Sequence, residues 1–486
     1  MTVRSPLLEK SALELAALIR NREISSLEAV EAHIAHASEV NPGLNAIVRT
    51  RYDLAREEAT RADETLAKAT RSTKLPLLHG VPCTIKECFA FTGMPNSSGL
   101  VARRDLIADY DATAVGRIRA AGAIPLGVTN ISELCMWMES NNCVYGRTNN
   151  PYDARRTVGG SSGGEGAIVG SGASPFGLGS DVGGSIRMPA FFNGVFGHKP
   201  TGGAVPGSGQ HPYATGAALR YVTTGPIARR ASDLMPLMRI LAGPDGLDEG
   251  CIDPQLGDPD QVDLRGMNVV SVETNGIRRV SDDLITAQRH AADALRARGA
   301  NVRSINLPAL SKSLQVWSQA LGTAGGPSFH EFLGDGEMHP LLPELLKWPF
   351  GKSKHTLPAI VLALIEKFPM ISDVPRETIE AAVLSLRREV EDTLGPGGVM
   401  LYPSYTRPAP IHTRALLTPL DWLYTAVWNV LELPVTQVPL GLNAQGIPLG
   451  VQVVGHHRAD HVTIAVAQAL EADLGGWVPP WKSGRP

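Results

Sequence analysis

Cysteine is scarce and unpatterned. The five present, Cys83, Cys88, Cys135, Cys143 and Cys251, are an odd number with no Cys-x-x-Cys pair. That argues against a disulfide framework or a cysteine-based zinc site and suits free thiols in a reducing compartment. No run of eighteen apolar residues occurs, so no membrane-spanning helix is expected. The opening MTVRSPLLEK has no signal-peptide core, and a cytoplasmic location is expected. Neither charge dominates: 45 Lys and Arg face 48 Asp and Glu, for a net charge of −3, and nothing favours nucleic acid as a partner. No lysine follows any glycine between Gly159 and Gly184, so the phosphate-loop pattern is missing there. Gly177 and Gly179 begin a dinucleotide fingerprint, but Val182 stands at its third glycine. No histidine lies between Gly159 and Phe192.

What is present is α/β alternation over the whole length. Ser11 with Glu14 and Ser25 with Glu28 have capping-box spacing, which predicts helices over 11–20 and 26–39. A third helix is predicted over 50–70, making residues 1–70 an N-terminal helical region. Residues 75–85 and 123–128 read as strands around a helix at 113–121. The stretches at 267–272, 283–298 and 302–305 form another β-α-β unit. GVMLYPS, LPVTQVPLGLN and IPLGVQVVG read as buried strands before a closing helix at 461–474. The expectation is one α/β domain, 1–486, with a largely parallel sheet covered by helices.

Glycine is concentrated in one place. Eleven fall in the 26 residues from Gly159 to Gly184, where average usage gives about two. Gly160-Ser161-Ser162-Gly163-Gly164 matches the hydrolase elbow Gly-x-Ser-x-Gly, with His412, His456, His457 and His461 as late histidine candidates. DARRTV before it is a poor strand, however. The other reading makes Val182-Gly183-Gly184-Ser185 a turn between a strand at 176–180 and a helix starting near Ile186. Glycines allow close backbone approach, and N–H groups at a helix start converge on negative charge. That is an oxyanion hole with Ser185 at its end. A serine needs a base, and a lysine serves where its surroundings hold it neutral. Lys86, ending the apolar VPCTIK, is the candidate.

The segment from Gly159 to Thr201, GGSSGGEGAIVGSGASPFGLGSDVGGSIRMPAFFNGVFGHKPT, resembles the signature of the amidase signature family. HGVPCTIKECF, GRTNNPYD and LELPVTQVPLGLN are similar to further segments of that family, so the likeness covers nearly the whole chain. KECF, SSGGEG and SIRMPAFFNG look closest to its fatty-acid amide hydrolase branch, in particular the second, membrane-anchored animal type. The resemblance implies the amidase signature fold, with a central mixed, largely parallel twisted sheet and helices on both faces. It implies a Ser-Ser-Lys triad: Ser185 as nucleophile, Ser161 as bridge after a cis Gly160–Ser161 peptide, and Lys86 as base. Val182, Gly183, Gly184 and Ser185 would supply the oxyanion donors. Cys135, Met136 and Met138 would lie beside the substrate. Ser162 would support the network, and Asp181 with Arg187 would tie the loop as an ion pair. No metal or cofactor is implied. The activity implied is hydrolysis of fatty or aryl carboxylic amides. The sister reading is the amidase subunit of a glutamine-dependent aminoacyl-tRNA amidotransferase.

Residues 341–368 are unusually apolar. They read either as two core helices or as a hydrophobic cap near the acyl pocket. In the second reading Lys347, Lys352 and Lys354 suit anionic headgroups, and the protein touches a membrane peripherally. A homodimer is a further expectation.

Overall fold

The computed structural model describes residues 4–70, 72–366 and 375–483. Among them are thirteen strands: β1 (Ile47–Thr50), β2 (Pro82–Lys86), β3 (Ile124–Thr129), β4 (Asn141–Asn142), β5 (Gly146–Arg147), β6 (Phe176–Asp181), β7 (Phe196–Lys199), β8 (Thr223–Ala228), β9 (Asn268–Ser271), β10 (Asn301–Ser304), β11 (Val399–Pro403), β12 (Val435–Leu442) and β13 (Pro448–Val454). Eleven form one sheet in the order β1-β3-β2-β6-β8-β7-β12-β13-β11-β9-β10, and β4 pairs with β5.

The sheet is mixed, as expected. The predicted β-α-β units place their parallel pairings in two blocks, β3-β2-β6 and β11-β9-β10. Between the blocks the neighbours are antiparallel, as is β1 with β3. Antiparallel neighbours can be joined by a tight turn. β12 and β13 are joined this way: Asn443 Oδ1 accepts from the N–H groups of Gln445 and Ile447. Helices cover both faces. Val269, Leu401 and Val453 belong to one apolar cluster, while Val270, Met400 and Val454 belong to another. Adjacent strand residues point to opposite faces, so these clusters lie on opposite sides of the sheet.

Both capping boxes form, at the helices Ala12–Arg20 and Ser26–Leu44. Strand β1 interrupts the segment expected to be helical, just before the helix Tyr52–Lys68. Its four residues, IVRT, are too few to show a period of two. What matters for function is the edge where β2 and β6 end. They are parallel neighbours, so Lys86 and Asp181 finish on one side, and the loop from Val182 leads into the helix Arg187–Phe192. Ligands of α/β sheets gather at such carboxyl ends.

Candidate active site

Lys86 is the last residue of β2 and is fully buried. Its Nζ donates to Ser161 Oγ at 2.7 Å and to Ser180 Oγ at 2.9 Å. Ser161 follows a cis peptide from Gly160 and precedes the helix Gly163–Gly170. A side chain on Gly160 could not be accommodated, since its Cβ would meet the Trp137 carbonyl at 2.2 Å. Behind β2, Glu165 of that helix accepts from Thr84 Oγ1 at 2.6 Å and Thr129 Oγ1 at 2.9 Å. Burial pushes this carboxyl up to about 8, against those two bonds and the attraction of Lys86.

Ser185 is buried to 7% exposure and shares a cavity of about 180 Å³ with Ser161 and Ser180. Tyr213, Phe329 and Phe332 form its outer wall. A second, apolar branch of about 110 Å³ also reaches Ser185, lined by Met138, Met188, Trp317, Leu362 and Trp422. Cys135, Met136 and Val182 line both.

Asp181 and Arg187 form a fully buried ion pair at 2.9 Å. Burial would raise the carboxyl, but the Arg187 charge and hydrogen bonds win and hold it well below the usual range. Arg187 also donates to Gln452 Oε1 at 2.8 Å and Asn429 Oδ1 at 2.7 Å. Asp181 accepts from the N–H groups of Gly184 at 2.7 Å and Ile186 at 3.0 Å. Of the expected oxyanion donors, the Gly184 N–H is the one already engaged, by Asp181. The N–H groups of Val182, Gly183 and Ser185 have no acceptor among the described residues, and all three residues line the cavity. Gly184 is needed for another reason: its φ is +119°, and a Cβ there would meet Thr425 Oγ1 at 2.2 Å. Ser162 donates its N–H to the Ser185 carbonyl at 3.2 Å and its hydroxyl to the Ser180 carbonyl at 3.2 Å. It braces the network from behind.

Among the described residues no histidine lines either branch. His412 and His456 instead bond the carbonyls of Ala154 and Gly395, so the elbow reading with a histidine base fails.

Several residues beside the cavity escaped the sequence reading. Ser180, the second partner of Lys86, is visible only once β2 and β6 are known to pair. Cys88 lies 3.8 Å from Ser180 Oγ. The Cys135 thiol is drawn below its usual range by a hydrogen bond with Cys88, with burial opposing and Lys86 assisting, while burial pushes Cys88 up. Glu133, two residues before Cys135, accepts from His355 Nδ1 at 2.7 Å and Thr356 N at 2.8 Å. That carboxylate ties the cavity wall to the segment 341–366.

The segment itself contains the helices Leu341–Lys347 and Leu357–Ile365. Residues 367 and 368 of the expected cap lie outside the described residues. Leu341, Ala359, Ile360 and Ala363 pack in a small core with Leu100 and Leu134. Leu346 and Phe350 are 65% and 76% exposed.

A sequence profile described as Amidase matches residues 28–464. The chain belongs to the amidase family. It is an amide hydrolase of that family. It is 46% identical to human fatty-acid amide hydrolase 2 over 99% of this chain and 92% of that protein. Fatty-acid amide hydrolase 2-A of Danio rerio is 45% identical, with the same coverage. The solved structure of 6-aminohexanoate cyclic dimer hydrolase complexed with substrate superposes with a TM-score of 0.80. It is 26% identical and covers 99% of both chains. Among the described residues no helix is long and apolar enough to cross a membrane.

Proposed function

We propose that this amidase cleaves fatty or aryl carboxylic amides through an acyl-enzyme on Ser185, with Ser161 and Lys86 as its proton relay. One observation carries the reading: a buried lysine bonded to Ser161 at the wall of a cavity that Ser185 lines. As the free amine, Lys86 takes the Ser161 proton while Ser161 takes that of Ser185, whose oxygen bonds to the amide carbon. The carbonyl oxygen becomes an oxyanion facing the N–H groups of Val182, Gly183 and Ser185. Each donor aimed at that charge is worth about 3–4 kcal/mol. The relay then returns the proton to the departing nitrogen, the C–N bond breaks, and water entering by the same relay releases the acid. The apolar branch beside Ser185 suits an acyl chain, and thioether walls at Met138 and Met188 adapt to its shape. The names of the two vertebrate relatives agree with a fatty acyl group.

A fluorophosphonate probe is expected to label the enzyme and to fail on Ser185→Ala. Undiminished labelling of that variant ends the reading. A panel of acyl amides of graded chain length is expected to give turnover that rises with length; an inverse trend removes the fatty-acyl preference. The reading includes a cytoplasmic enzyme that docks on anionic membranes through the exposed apolar side chains of 341–366 and pairs as a homodimer. Vesicle co-sedimentation and sedimentation equilibrium test these two points.

A further inference from the structure

Successive peptide units of the loop after β6 are held from different sides. The unit between Gly183 and Gly184 is fixed at both ends: Thr425 Oγ1 donates to its carbonyl at 2.7 Å, and its N–H reaches Asp181 at 2.7 Å. Among the described residues, the unit between Val182 and Gly183 has one hydrogen-bond restraint. The indole Nε1–H of Trp317, on the helix Ser313–Gly322, donates to the Val182 carbonyl at 2.9 Å. In a trans peptide the carbonyl and the following N–H point in opposite directions. Fixing the Val182 oxygen therefore fixes the direction of the Gly183 N–H.

The same indole is part of the substrate space. Trp317 meets Trp422 edge-on, with ring centroids 4.6 Å apart. Both rings lie against Gly183, where an added Cβ would sit 3.2 Å from Trp422 and 3.4 Å from Trp317. Both also line the apolar branch that ends at Ser185.

We propose that Trp317 is a positioning residue that aims the Gly183 N–H at the oxyanion, and that an acyl chain in the apolar branch raises turnover by bracing this indole. The proposal rests on the acyl-enzyme reading above. Its physical content is that contact made far from the scissile bond is expressed in the transition state, and so in kcat rather than in KM. A ring that merely walled the branch would act on KM.

Trp317→Phe keeps a ring and removes the donor. With a long-chain acyl anilide, it is expected to lower kcat about tenfold and leave KM within about twofold, a loss smaller than the about 10²–10³-fold of a deleted oxyanion donor. An alkyl trifluoromethyl ketone, whose adduct carries the oxyanion, is expected to bind more weakly by the same factor, while the matching carboxylic acid binds unchanged. Across a chain-length series, the rise in kcat is expected to flatten in the variant while the trend in KM persists. A raised KM with unchanged kcat, or an unchanged ketone affinity, overturns the proposal. Trp422→Phe, which loosens the edge-on support and keeps the donor, carries the same test should Trp317→Phe not fold, with about a threefold loss of kcat expected and no loss overturning the proposal. Ser185→Ala separates the two levels. Turnover persisting there overturns the acyl-enzyme reading, whereas unchanged kcat in the tryptophan variants of an enzyme that does need Ser185 overturns this inference alone.

Discussion

The hydroxyl centre and the 341–366 segment, the proposed cap, meet where Leu362 lines the apolar branch that reaches Ser185, and they are built on opposite terms. Lys86, Ser161 and Ser180 are buried and tied to one another by short hydrogen bonds, and the buried Asp181 is paired with Arg187. In the cap, Leu342, Leu346 and Phe350 stand in solvent and only an inner face packs. Geometry is over-determined around the buried hydroxyls and loosely specified on the exposed apolar face. An interior polar network tolerates no missing member, because an unpaired group there costs free energy that water cannot return. An exposed apolar face has no such constraint.

Substitutions can break that contrast. The largest effect is expected at the reacting groups: Lys86→Ala is expected to lower amide turnover about 10²–10⁴-fold, read from steady-state rates. Full activity would remove Lys86 from the relay. Next comes Asp181→Ala, which strands a buried guanidinium and frees the Gly184 N–H. A loss of about 3–5 kcal/mol in urea unfolding is expected; a change under about 1 kcal/mol would mean the centre is less tightly built than its bonds suggest.

The third test uses pH. Glu165 titrates near 8 when folded and near 4.5 when free. Between these values the folded protein holds a proton that the unfolded chain has lost, so stability falls as pH rises through that window. Lys86 and Cys83 face this carboxyl and interact with it electrostatically, so the comparison is made against Glu165→Gln, which leaves both in place. The variant is expected to lack a fall on the order of a few kcal/mol between pH 4.5 and 8, measured by urea unfolding. Parallel profiles for variant and parent would refute it. The smallest effect on the fold is expected in the cap. Leu346→Ser with Phe350→Ser is expected to leave the unfolding midpoint within about 0.5 kcal/mol and short-chain turnover unchanged, while reducing co-sedimentation with anionic vesicles. A large stability loss would make those residues core.

The two regions were also legible in the sequence to different degrees. Lys86, Ser161 and Ser185 stand out because glycine crowding and a strand-end lysine leave a mark in the chain itself. The capping boxes of the N-terminal helices do so for the same local reason. Ser180, Trp317 and Thr425 leave no such mark: each acquires its role from register or from a helix more than a hundred residues away. Gly184 shows the limit most sharply. Its place in the loop suggests an oxyanion donor, and only the position of the Asp181 carboxylate reveals that its N–H is taken. For the cap, composition announced apolar helices but not which face would be left uncovered.

The Glu133 carboxylate sets a rule for how this architecture can be altered. It is buried, and its partners, His355 and the Thr356 N–H, come from the far segment. A graft that swaps in the corresponding segment of a cousin without supplying an equivalent imidazole and amide would strand that anion next to the cavity wall. Exchange of substrate preference by segment transplantation is therefore expected to succeed only when the anchor travels with the graft or Glu133 is neutralised alongside it.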